Sequence, residues 1–410
     1  MLAQKILAVL EKVLHRNGTQ VLLSEPIFRG NEWAYVKDCL DTNWVSTVGG
    51  YVDRLEEMLA EFTGVRRAVA MVNGTAALHL SLKLVGVEPG DEVLVPALTF
   101  VATANAVAYC SAVPHFVDSE EATLGLDADK LRDYLSGIAQ ASPAGCRNKV
   151  TGRIIRAVVP VHTFGHPVDL DPLVEVCRRF RLEMVEDAAE ALGSYYKGRH
   201  TGNWGRAAIL SFNGNKIITT GGGGAILTND EELGKLAKHL STTARIPQQW
   251  GFFHDQTGFN YRLPNINAAL GCAQLEQLPD FLEKNRTLAK RYEQAFRGLE
   301  GVEFFTEPGF ARSNYWLNVL LLAENQPPAA ESSCESQAAP GQGLTEVERL
   351  RDVVLKITNS RGIGTRPAWT LMHKLPMFGA SPRMDLTVAE SIERRLINIP
   401  SGAKLSNSYV

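Results

Sequence analysis

The sequence predicts an α/β protein, with a mostly parallel sheet in a large domain and a smaller α+β domain towards the C-terminus. Between residues 68 and 228, short apolar segments alternate with segments of helical periodicity, as in parallel sheets that helices cover on both faces. After about Gly301, two strand-like segments follow each other without a helix between them. We therefore divide the 410 residues into an N-terminal segment (1–50), a large domain (51–295) and a small C-terminal domain (296–410).

Composition and charge predict a soluble cytoplasmic protein. A net charge of -3 gives no reason to expect nucleic acid or an anionic membrane as a partner. The six cysteines include no C-x-x-C pair, which indicates neither a disulfide framework nor a zinc site, and we predict no metal ligands. Segment 2–14 is apolar at helical spacing but carries three charged residues, so it is typical of an amphipathic helix and not of a signal peptide. No apolar run is long enough to span a bilayer.

Hydrophobic periodicity and turn residues give the order of the elements. The predicted helices are 2–14, 31–42, 52–62, 76–85, 103–110, 170–180, 231–240, one long helix from 265 past 288, 345–360 and 389–396. The predicted strands are 68–72, 92–96, 113–117, 154–161, 182–187, 225–228, 302–305 and 316–322, and an apolar run covers 207–212. We interpret 140–152 as a polar insertion within the large domain. Segment 324–343, rich in Pro, Ala, Ser, Glu and Gln, is interpreted as a mobile surface insertion.

Four residues fall at or just after the ends of predicted strands or apolar runs: Thr75, Phe100, Asp187 and Lys216. Ligands of parallel sheets bind beyond the carboxyl ends of the strands, so we expect these residues to surround one site. Thr75 also directly precedes a predicted helix. The free N–H groups and the dipole of a helix N-terminus favour a bound anion.

Lys216 is the centre of the predicted site. It lies between the apolar run and four consecutive glycines, Gly221 to Gly224, although burying an ammonium group is costly. A lysine in such surroundings can lose its proton near neutral pH and attack a carbonyl carbon to form a Schiff base. Taken alone, the same pattern is also that of a surface lysine in a glycine-rich turn.

Schiff-base chemistry on pyridoxal phosphate needs a lysine, an acid beside the pyridine nitrogen, a phosphate cradle and a flat group against the ring. We predict Lys216 and Asp187 as the catalytic residues, because an ionised Asp187 keeps the ring nitrogen protonated. Helix capping is the alternative role of Asp187, and an ordinary core position is the alternative for the aromatic residue that would cover the ring. Besides the two catalytic residues, the predicted cofactor-binding residues of this chain are Gly74, Thr75, Phe100 and Ser211.

A series of motifs covers nearly the whole chain: NGTAAL (73–78), GDEV (90–93) with Pro96 and 99–100, VEDAAEALG (185–193), SFNGNK (211–216), GFNYR (258–262), NAA (267–269) and NIPS (398–401). In this order they resemble the DegT/DnrJ/EryC1/StrS family of pyridoxal-phosphate-dependent sugar aminotransferases, which have the aspartate aminotransferase-like fold type I. The resemblance implies that fold, pyridoxal 5'-phosphate as the cofactor, L-glutamate as the amino donor and a nucleotide sugar as the acceptor.

Two positions depart from the usual pattern of the family: Asn213 replaces a histidine and Gly222 replaces a glutamate. Both variants, and segments 44–49 and 365–372, resemble the branch that aminates 4-keto-6-deoxy sugar nucleotides in legionaminic acid and bacillosamine pathways. This implies amino transfer to C4 of UDP-2-acetamido-2,6-dideoxy-hexos-4-ulose, in bacterial surface polysaccharide synthesis. A GDP-perosamine synthase-type reaction on GDP-4-keto-6-deoxymannose is the alternative. The sugar dehydratases that also resemble this chain have a histidine in place of Lys216, which disfavours that activity.

The resemblance also implies a homodimer or larger assembly with shared active sites, in which Asn260 binds the cofactor phosphate of the neighbouring subunit. The predicted strand order agrees, because it does not bring segment 258–262 near Thr75 of the same chain. The candidate substrate-binding residues are Arg262, Arg366, Ser46 and Thr47. For His162 and Glu190, which lie beside the predicted site, we expect structural roles.

Two further classes of protein are disfavoured by missing motifs. A phosphate-loop protein that uses the four glycines would show G-x-x-x-x-G-K-[ST], or G-x-G-x-x-G after the first strand, and neither is present. A non-catalytic regulator that binds pyridoxal phosphate would show a DNA-binding helix-turn-helix segment or a basic stripe, and neither is visible.

Overall fold

The structure is a computed structural model that describes residues 2–15, 20–142, 145–324 and 343–407. The predicted surface insertion 324–343 lies almost entirely outside these ranges. The predicted division of the chain at residues 50 and 295 stays a prediction.

Twelve α-helices and eighteen strands are numbered below in chain order, within the described residues. The helices are α1 (Leu2–Leu14), α2 (Glu32–Asp41), α3 (Gly50–Thr63), α4 (Gly74–Leu84), α5 (Val101–Tyr109), α6 (Ala128–Ile138), α7 (Leu170–Phe180), α8 (Glu231–Ser241), α9 (Asn265–Glu276), α10 (Leu278–Phe296), α11 (Glu346–Ser360) and α12 (Thr387–Arg395). The strands are β1 (Arg67–Met71), β2 (Glu92–Pro96), β3 (Val113–Val117), β4 (Ala139–Ser142), β5 (Gly145–Asn148), β6 (Ile154–Val158), β7 (Glu183–Asp187), β8 (Tyr195–Tyr196), β9 (Arg199–His200), β10 (Ala207–Ser211), β11 (Gly224–Thr228), β12 (Arg245–Ile246), β13 (Phe253–His254), β14 (Val302–Phe304), β15 (Ala311–Arg312), β16 (Asn318–Leu322), β17 (Arg366–Pro367) and β18 (Leu396–Ile399).

The main sheet has the strand order β1-β11-β10-β7-β6-β2-β3. Strands β10, β7, β6, β2 and β3 pair in parallel, and β11 is antiparallel to both of its neighbours. Six of these seven strands therefore run in one direction, which confirms the predicted mostly parallel sheet. Because they share a direction, their carboxyl ends lie along one edge.

Two predicted features differ from the structure. The long helix from residue 265 is two helices, α9 and α10, which meet at Gln277; a proline in the first turn of α10 has no N–H to continue the ladder of α9. The supposed polar insertion 140–152 contains the hairpin β4–β5, which pairs with β6 and extends the sheet. Its polar residues are used internally, since the Asn148 amide donates to Glu92 Oε2 at 2.9 Å.

A second, four-stranded sheet has the order β14-β16-β18-β17 and is antiparallel throughout. One face of it packs with α1, α10 and α11 in a shared apolar core, so the first helix of the chain is buried against the C-terminal part. The other face contributes residues such as Leu317 and Val319 to the core under the main sheet. Among the described residues, no helix combines the length and apolar character that crossing a membrane requires.

Candidate active site

The N-terminus of α4 forms one wall of the site. Asn73 caps the helix, and its Oδ1 accepts the N–H of Ala76 at 2.8 Å. The first N–H groups of a helix have no acceptor within it, so those of Gly74 and Thr75 remain for an external anion. Gly74 also has a packing role, because a Cβ there would lie 3.1 Å from the Cβ of Ser211. The glycine thus allows the helix to begin directly beside the end of β10.

The start of α4 and the end of β10 border a cavity of about 350 Å³, which is within the range of roughly 300–1,000 Å³ for small-molecule sites. It opens at the carboxyl edge of the main sheet. Its lining includes Asn73, Gly74, Thr75, Thr99, Phe100, Thr103, Asp187, Glu190, Ser211, Asn213, Lys216, Gly222, Trp316 and Trp369.

Lys216 projects into this cavity with its side chain only 13% exposed. Its Nζ lies 3.2 Å from Glu190 Oε1 and 3.9 Å from the centre of the Trp316 ring. Glu190 is itself fixed, because its Oε2 accepts the backbone N–H of Phe164 at 2.8 Å. Burial raises the pKa of the Glu190 carboxyl group, and the Lys216 ammonium opposes this shift. A buried carboxylate and an aromatic face therefore hold the amine at one side of the cavity.

Asp187 ends β7 and is buried at the bottom of the same cavity. Its Oδ2 accepts the hydroxyl of Thr103 at 2.8 Å, and its Oδ1 accepts the N–H of Ala189 at 3.2 Å. Burial raises the pKa of Asp187, and the bonds from Thr103 and Ala189 and the charge of Lys216 only partly oppose this shift. A positively charged group bound in the cavity would compensate the remaining cost of the ionised form.

The preceding acid, Glu186, has no part in the cavity because adjacent side chains of a strand point to opposite faces. Its carboxylate accepts the backbone N–H groups of Gly202, Trp204 and Gly205 at 2.7–2.8 Å, and His162 Nε2 lies 3.1 Å away. Burial alone would raise the pKa of Glu186, but His162 and these amides hold it below its ordinary value. His162 is buried and does not line the cavity, and its structural role stays our prediction.

We expect Glu186→Gln to lower the free energy of unfolding by about 3–5 kcal/mol at neutral pH, because it removes the charge of a buried, fully hydrogen-bonded carboxylate. The contribution of Glu186 is present above the ordinary carboxyl pKa and is lost as pH falls through its lowered folded-state value. Denaturant unfolding of both proteins at several pH values measures the difference. The matched control is Glu183→Gln on the same strand, whose partly exposed pair with Arg206 at 3.4 Å contributes little. Equal losses in the two variants would contradict the assignment.

Aromatic side chains form the remaining wall. Phe100 precedes α5 and the residue is 53% exposed, so it is not an ordinary core residue. Its centroid lies 6.2 Å from that of Trp369, whose ring in turn packs at a tilt against Phe164, with the centroids 4.8 Å apart. A flat ligand can therefore be covered from this side.

The structure brings six predicted site residues together around the cavity: Gly74, Thr75, Phe100, Asp187, Ser211 and Lys216. The five others lie outside its lining within the described part of the chain: Asn260, Arg262, Arg366, Ser46 and Thr47. Arg262 Nε donates to Asn260 Oδ1 at 3.0 Å, and Arg366 bonds to Asn359 and to the Thr365 carbonyl. Ser46 is exposed and Thr47 is half-buried.

One premise about Asn260 was wrong. Segment 258–262 was expected to lie away from Thr75 of the same chain, but the N–H of Val72 donates to the Tyr261 carbonyl at 2.8 Å and Met71 forms a bridge with Arg262. The segment therefore runs beside the end of β1, next to the start of α4. The Asn260 side chain is nevertheless exposed and does not enter the cavity of its own chain.

Sequence reasoning did not find Trp316, Trp369 or Thr103, which all line the cavity. It also expected only a structural role for Glu190, whose carboxylate contacts Lys216 in the cavity. Glu190 follows Asp187 by three residues in a predicted loop, which was the one available signal. Trp316 and Trp369 come from distant parts of the chain that no periodicity connects to the site.

The residues of the cavity fit pyridoxal phosphate. The amides of Gly74 and Thr75 and the nearby Ser211 hydroxyl suit a phosphate group. Burial leaves the pKa of Asp187 raised, so its carboxyl group suits a protonated ring nitrogen as a counter-charge. The Lys216 amine lines the same cavity.

The fold and this site define a pyridoxal-phosphate-dependent enzyme of fold type I. The profile of the DegT/DnrJ/EryC1/StrS aminotransferase family matches residues 26–410, so the chain belongs to this family of sugar aminotransferases.

Curated relatives cover nearly the whole chain. A GDP-perosamine synthase of Caulobacter vibrioides is 38% identical over 394 residues, or 95% of each chain. The Bacillus subtilis protein EpsN is 37% identical over 391 residues, covering 94% of this chain and 92% of EpsN. A GDP-perosamine synthase of Escherichia coli O157:H7 is 35% identical over 386 residues, or 94% of each chain.

Among solved structures, the aminotransferase TlmJ from Streptoalloteichus hindustanus is similar to this chain. The two superpose with a TM-score of 0.81 over 95% of each chain and share 27% of their residues. The similarity confirms the predicted fold class.

Proposed function

We propose that this protein transfers an amino group from L-glutamate to C4 of a 4-keto-6-deoxy nucleotide sugar, in the synthesis of a bacterial surface polysaccharide. The observation that carries the proposal is one cavity shared by the Lys216 amine, the Asp187 carboxyl group and the free amides of α4. GDP-4-keto-6-deoxymannose is the best supported acceptor, because two of the relatives reported above are GDP-perosamine synthases. The UDP-sugar that we first expected thereby becomes the second candidate.

The chain binds and orients the cofactor through three kinds of group. The amides of Gly74 and Thr75 bind the phosphate through the positive end of the helix dipole, and the Ser211 hydroxyl adds a further bond. Phe100 covers one face of the ring and excludes water from it. When bound, pyridoxal phosphate supplies an aldehyde carbon that takes up the amino group and a ring that withdraws electrons.

Proton transfer is the task of Asp187 and Lys216. Asp187, oriented by Thr103 and by the N–H of Ala189, holds a proton on the ring nitrogen as its counter-charge. Lys216 Nζ removes a proton from the carbon of the amino donor and returns one during delivery to the sugar. Glu190 holds Nζ at the edge of the cavity while the lysine is free.

UDP-2-acetamido-2,6-dideoxy-hexos-4-ulose is retained as the second candidate because of Asn213 and Gly222. Both residues line the cavity, and they are the two positions at which the chain departs from the usual family pattern. A Cβ on Gly222 would meet no atom within 4 Å, so a larger side chain here would extend into free space beside the site. The absence of such a side chain leaves room for a substituent on the sugar.

The test is a substrate panel. The enzyme loaded with pyridoxal phosphate is incubated with L-glutamate and either of the two 4-keto-6-deoxy sugars, and the product is identified by mass and NMR. A 4-amino GDP-sugar supports the first candidate. A product from the UDP-sugar alone refutes it and supports the second, and no amination of either sugar overturns the substrate class.

We also propose that the working unit is at least a homodimer in which Asn260 reaches the partner's cofactor phosphate. Its exposure and its position outside the cavity of its own chain support this assignment, as does the motif resemblance. A two-fold interface presents segment 258–262 twice, once to each cavity. In such a dimer, the two halves of a site come from different chains.

Mixing inactive Lys216→Ala chains with inactive Asn260→Ala chains is therefore expected to restore activity. Each mixed dimer has one cavity with both defects and one with neither, so up to half the sites of that dimer are intact. Activity is measured after subunit exchange, which differently tagged chains and co-purification verify. Each variant mixed with itself is the control. Verified exchange without recovered activity would show that the two residues act within one chain.

A further inference from the structure

Trp316 contacts Lys216 in two ways. The face of its indole ring lies under the amine, with Nζ 3.9 Å from the ring centre. Its Nε1–H donates at 2.7 Å to the carbonyl of Asn215, the residue that directly precedes the lysine. The Ser24 hydroxyl donates to the same carbonyl at 3.0 Å. One side chain therefore holds both the backbone and the reactive end of Lys216.

The indole is itself firmly held. Trp316 is only 4% exposed, and its backbone N–H donates to Asn314 Oδ1 at 2.8 Å. The Asn314 amide donates in turn to the carbonyls of Glu190 and Leu192 at 2.8 and 2.9 Å. The segment that leads into β16 is thus bonded to the loop that follows β7 and carries Glu190. A support of this kind is what a precisely oriented reactive group requires.

We propose that Trp316 is a positioning residue for Lys216, and that its two contacts direct Nζ into the cavity. The proposal rests on the assignment of Lys216 as the cofactor lysine, but on neither sugar. The indole face limits where the amine can lie in either protonation state, and it attracts the amine further when the amine is charged. The bond to Asn215 removes rotation of the peptide from which the side chain starts.

The step that depends on this geometry is the capture of pyridoxal phosphate by the apoprotein. The neutral Lys216 amine adds to the aldehyde carbon, and one carbon–nitrogen double bond forms as the aldehyde oxygen leaves in a molecule of water with the two amine hydrogens. The rate of this addition depends strongly on the orientation of the two reacting groups. Misplacement by about 1 Å can lower a reaction rate by roughly 100-fold.

The experiment compares Trp316→Leu and Trp316→Phe with the wild type. Apoprotein is mixed with pyridoxal phosphate from neutral to alkaline pH, without amino donor or sugar. Capture is followed by visible absorbance, and borohydride reduction with mass spectrometry verifies that Lys216 is the residue modified. We expect Trp316→Leu to lower the rate by roughly 10- to 100-fold even at the alkaline plateau, where protonation no longer limits the amine. Trp316→Phe retains a ring face and loses the N–H, so an intermediate rate is expected.

The matched control is Trp204→Leu. Trp204 is a half-buried tryptophan outside the cavity that packs on Tyr196 at 5.1 Å, so its loss measures the effect of general destabilisation. The proposal is overturned if Trp316→Leu matches this control, or if only the midpoint of the pH profile moves while the plateau stays at the wild-type rate. A wild-type protein that captures no cofactor on Lys216 would refute the lysine assignment itself. Failure of both sugars in the substrate panel would leave the capture result unaffected.

Discussion

Replacing Lys216 by alanine is expected to abolish amino transfer while the protein remains folded. The substitution removes the amine that we propose captures the cofactor and moves the proton, and general acid–base catalysis alone contributes typically about 10²–10⁴-fold. The fold is expected to survive because Glu190, the ion-pair partner of the lysine, keeps the N–H of Phe164 as a donor. The cavity retains its phosphate and ring contacts, so the variant should still bind pyridoxamine phosphate noncovalently.

Turnover with glutamate measures amino transfer by Lys216→Ala. Near-ultraviolet absorbance after removal of free cofactor measures bound pyridoxamine phosphate, and circular dichroism measures the fold. Lys238→Ala is the matched control, because Lys238 also pairs with a glutamate, Glu56, at 2.7 Å but lies outside the cavity. This control should keep the wild-type rate. A Lys216→Ala protein that retains both the visible band of the bound cofactor and the wild-type rate would show that another residue carries the chemistry.

The central part of the site could be predicted because it depends on local sequence patterns. Apolar runs gave the ends of β1, β7 and β10 to within about a residue, and parallel strands bring those ends to one edge of the sheet. Thr75, Asp187 and Lys216 lie at these ends, so their meeting in one cavity followed from strand direction alone. The roles assigned to them remain predictions, which the substitutions above and below test.

Other parts of the site could not be predicted because they depend on contacts between distant segments. Trp316 lies against Lys216 in a segment before β16 that bonds to the loop after β7, and no periodic pattern encodes that contact. The position of segment 258–262 was missed for a related reason. Val72 and Tyr261 are joined by a single backbone hydrogen bond outside any regular strand, which leaves no signature in either segment.

The sequence also could not show which of the two neighbouring acids at the end of β7 faces the cavity. Sequence alone indicates that adjacent strand residues face opposite sides, but it does not indicate which side carries the cavity. The structure distinguishes them by their partners. Glu186 accepts three backbone N–H groups and lies beside His162, whereas Asp187 has one hydroxyl and one N–H and faces the cavity. A carboxylate that can still accept hydrogen bonds from a group in the cavity is the better candidate for a catalytic role.

Asp187→Asn is expected to impair turnover severely with little change in stability. Asparagine has the same shape, and its amide can bond to the Thr103 hydroxyl and to the N–H of Ala189 in place of the carboxylate. Burial raises the pKa of Asp187, so its replacement by a neutral group also removes the cost of a buried charge in the protein without cofactor. The loss falls instead on the loaded enzyme, in which the ring nitrogen no longer has a counter-charge to keep its proton.

Removing one member of a buried charge pair costs about 3–5 kcal/mol, which corresponds to a rate loss of roughly 10²–10⁴-fold. Single-turnover reaction of the loaded variant with L-glutamate measures this loss without any nucleotide sugar, and thermal melting of the apoprotein measures stability. Glu186→Gln is the opposite control, because it should destabilise the protein while the lysine, the cavity lining and Asp187 stay unchanged. If Asp187→Asn reacts with glutamate at nearly the wild-type rate, the carboxylate serves only to anchor Thr103 and the turn that follows β7, and the counter-charge must be sought elsewhere in the cavity.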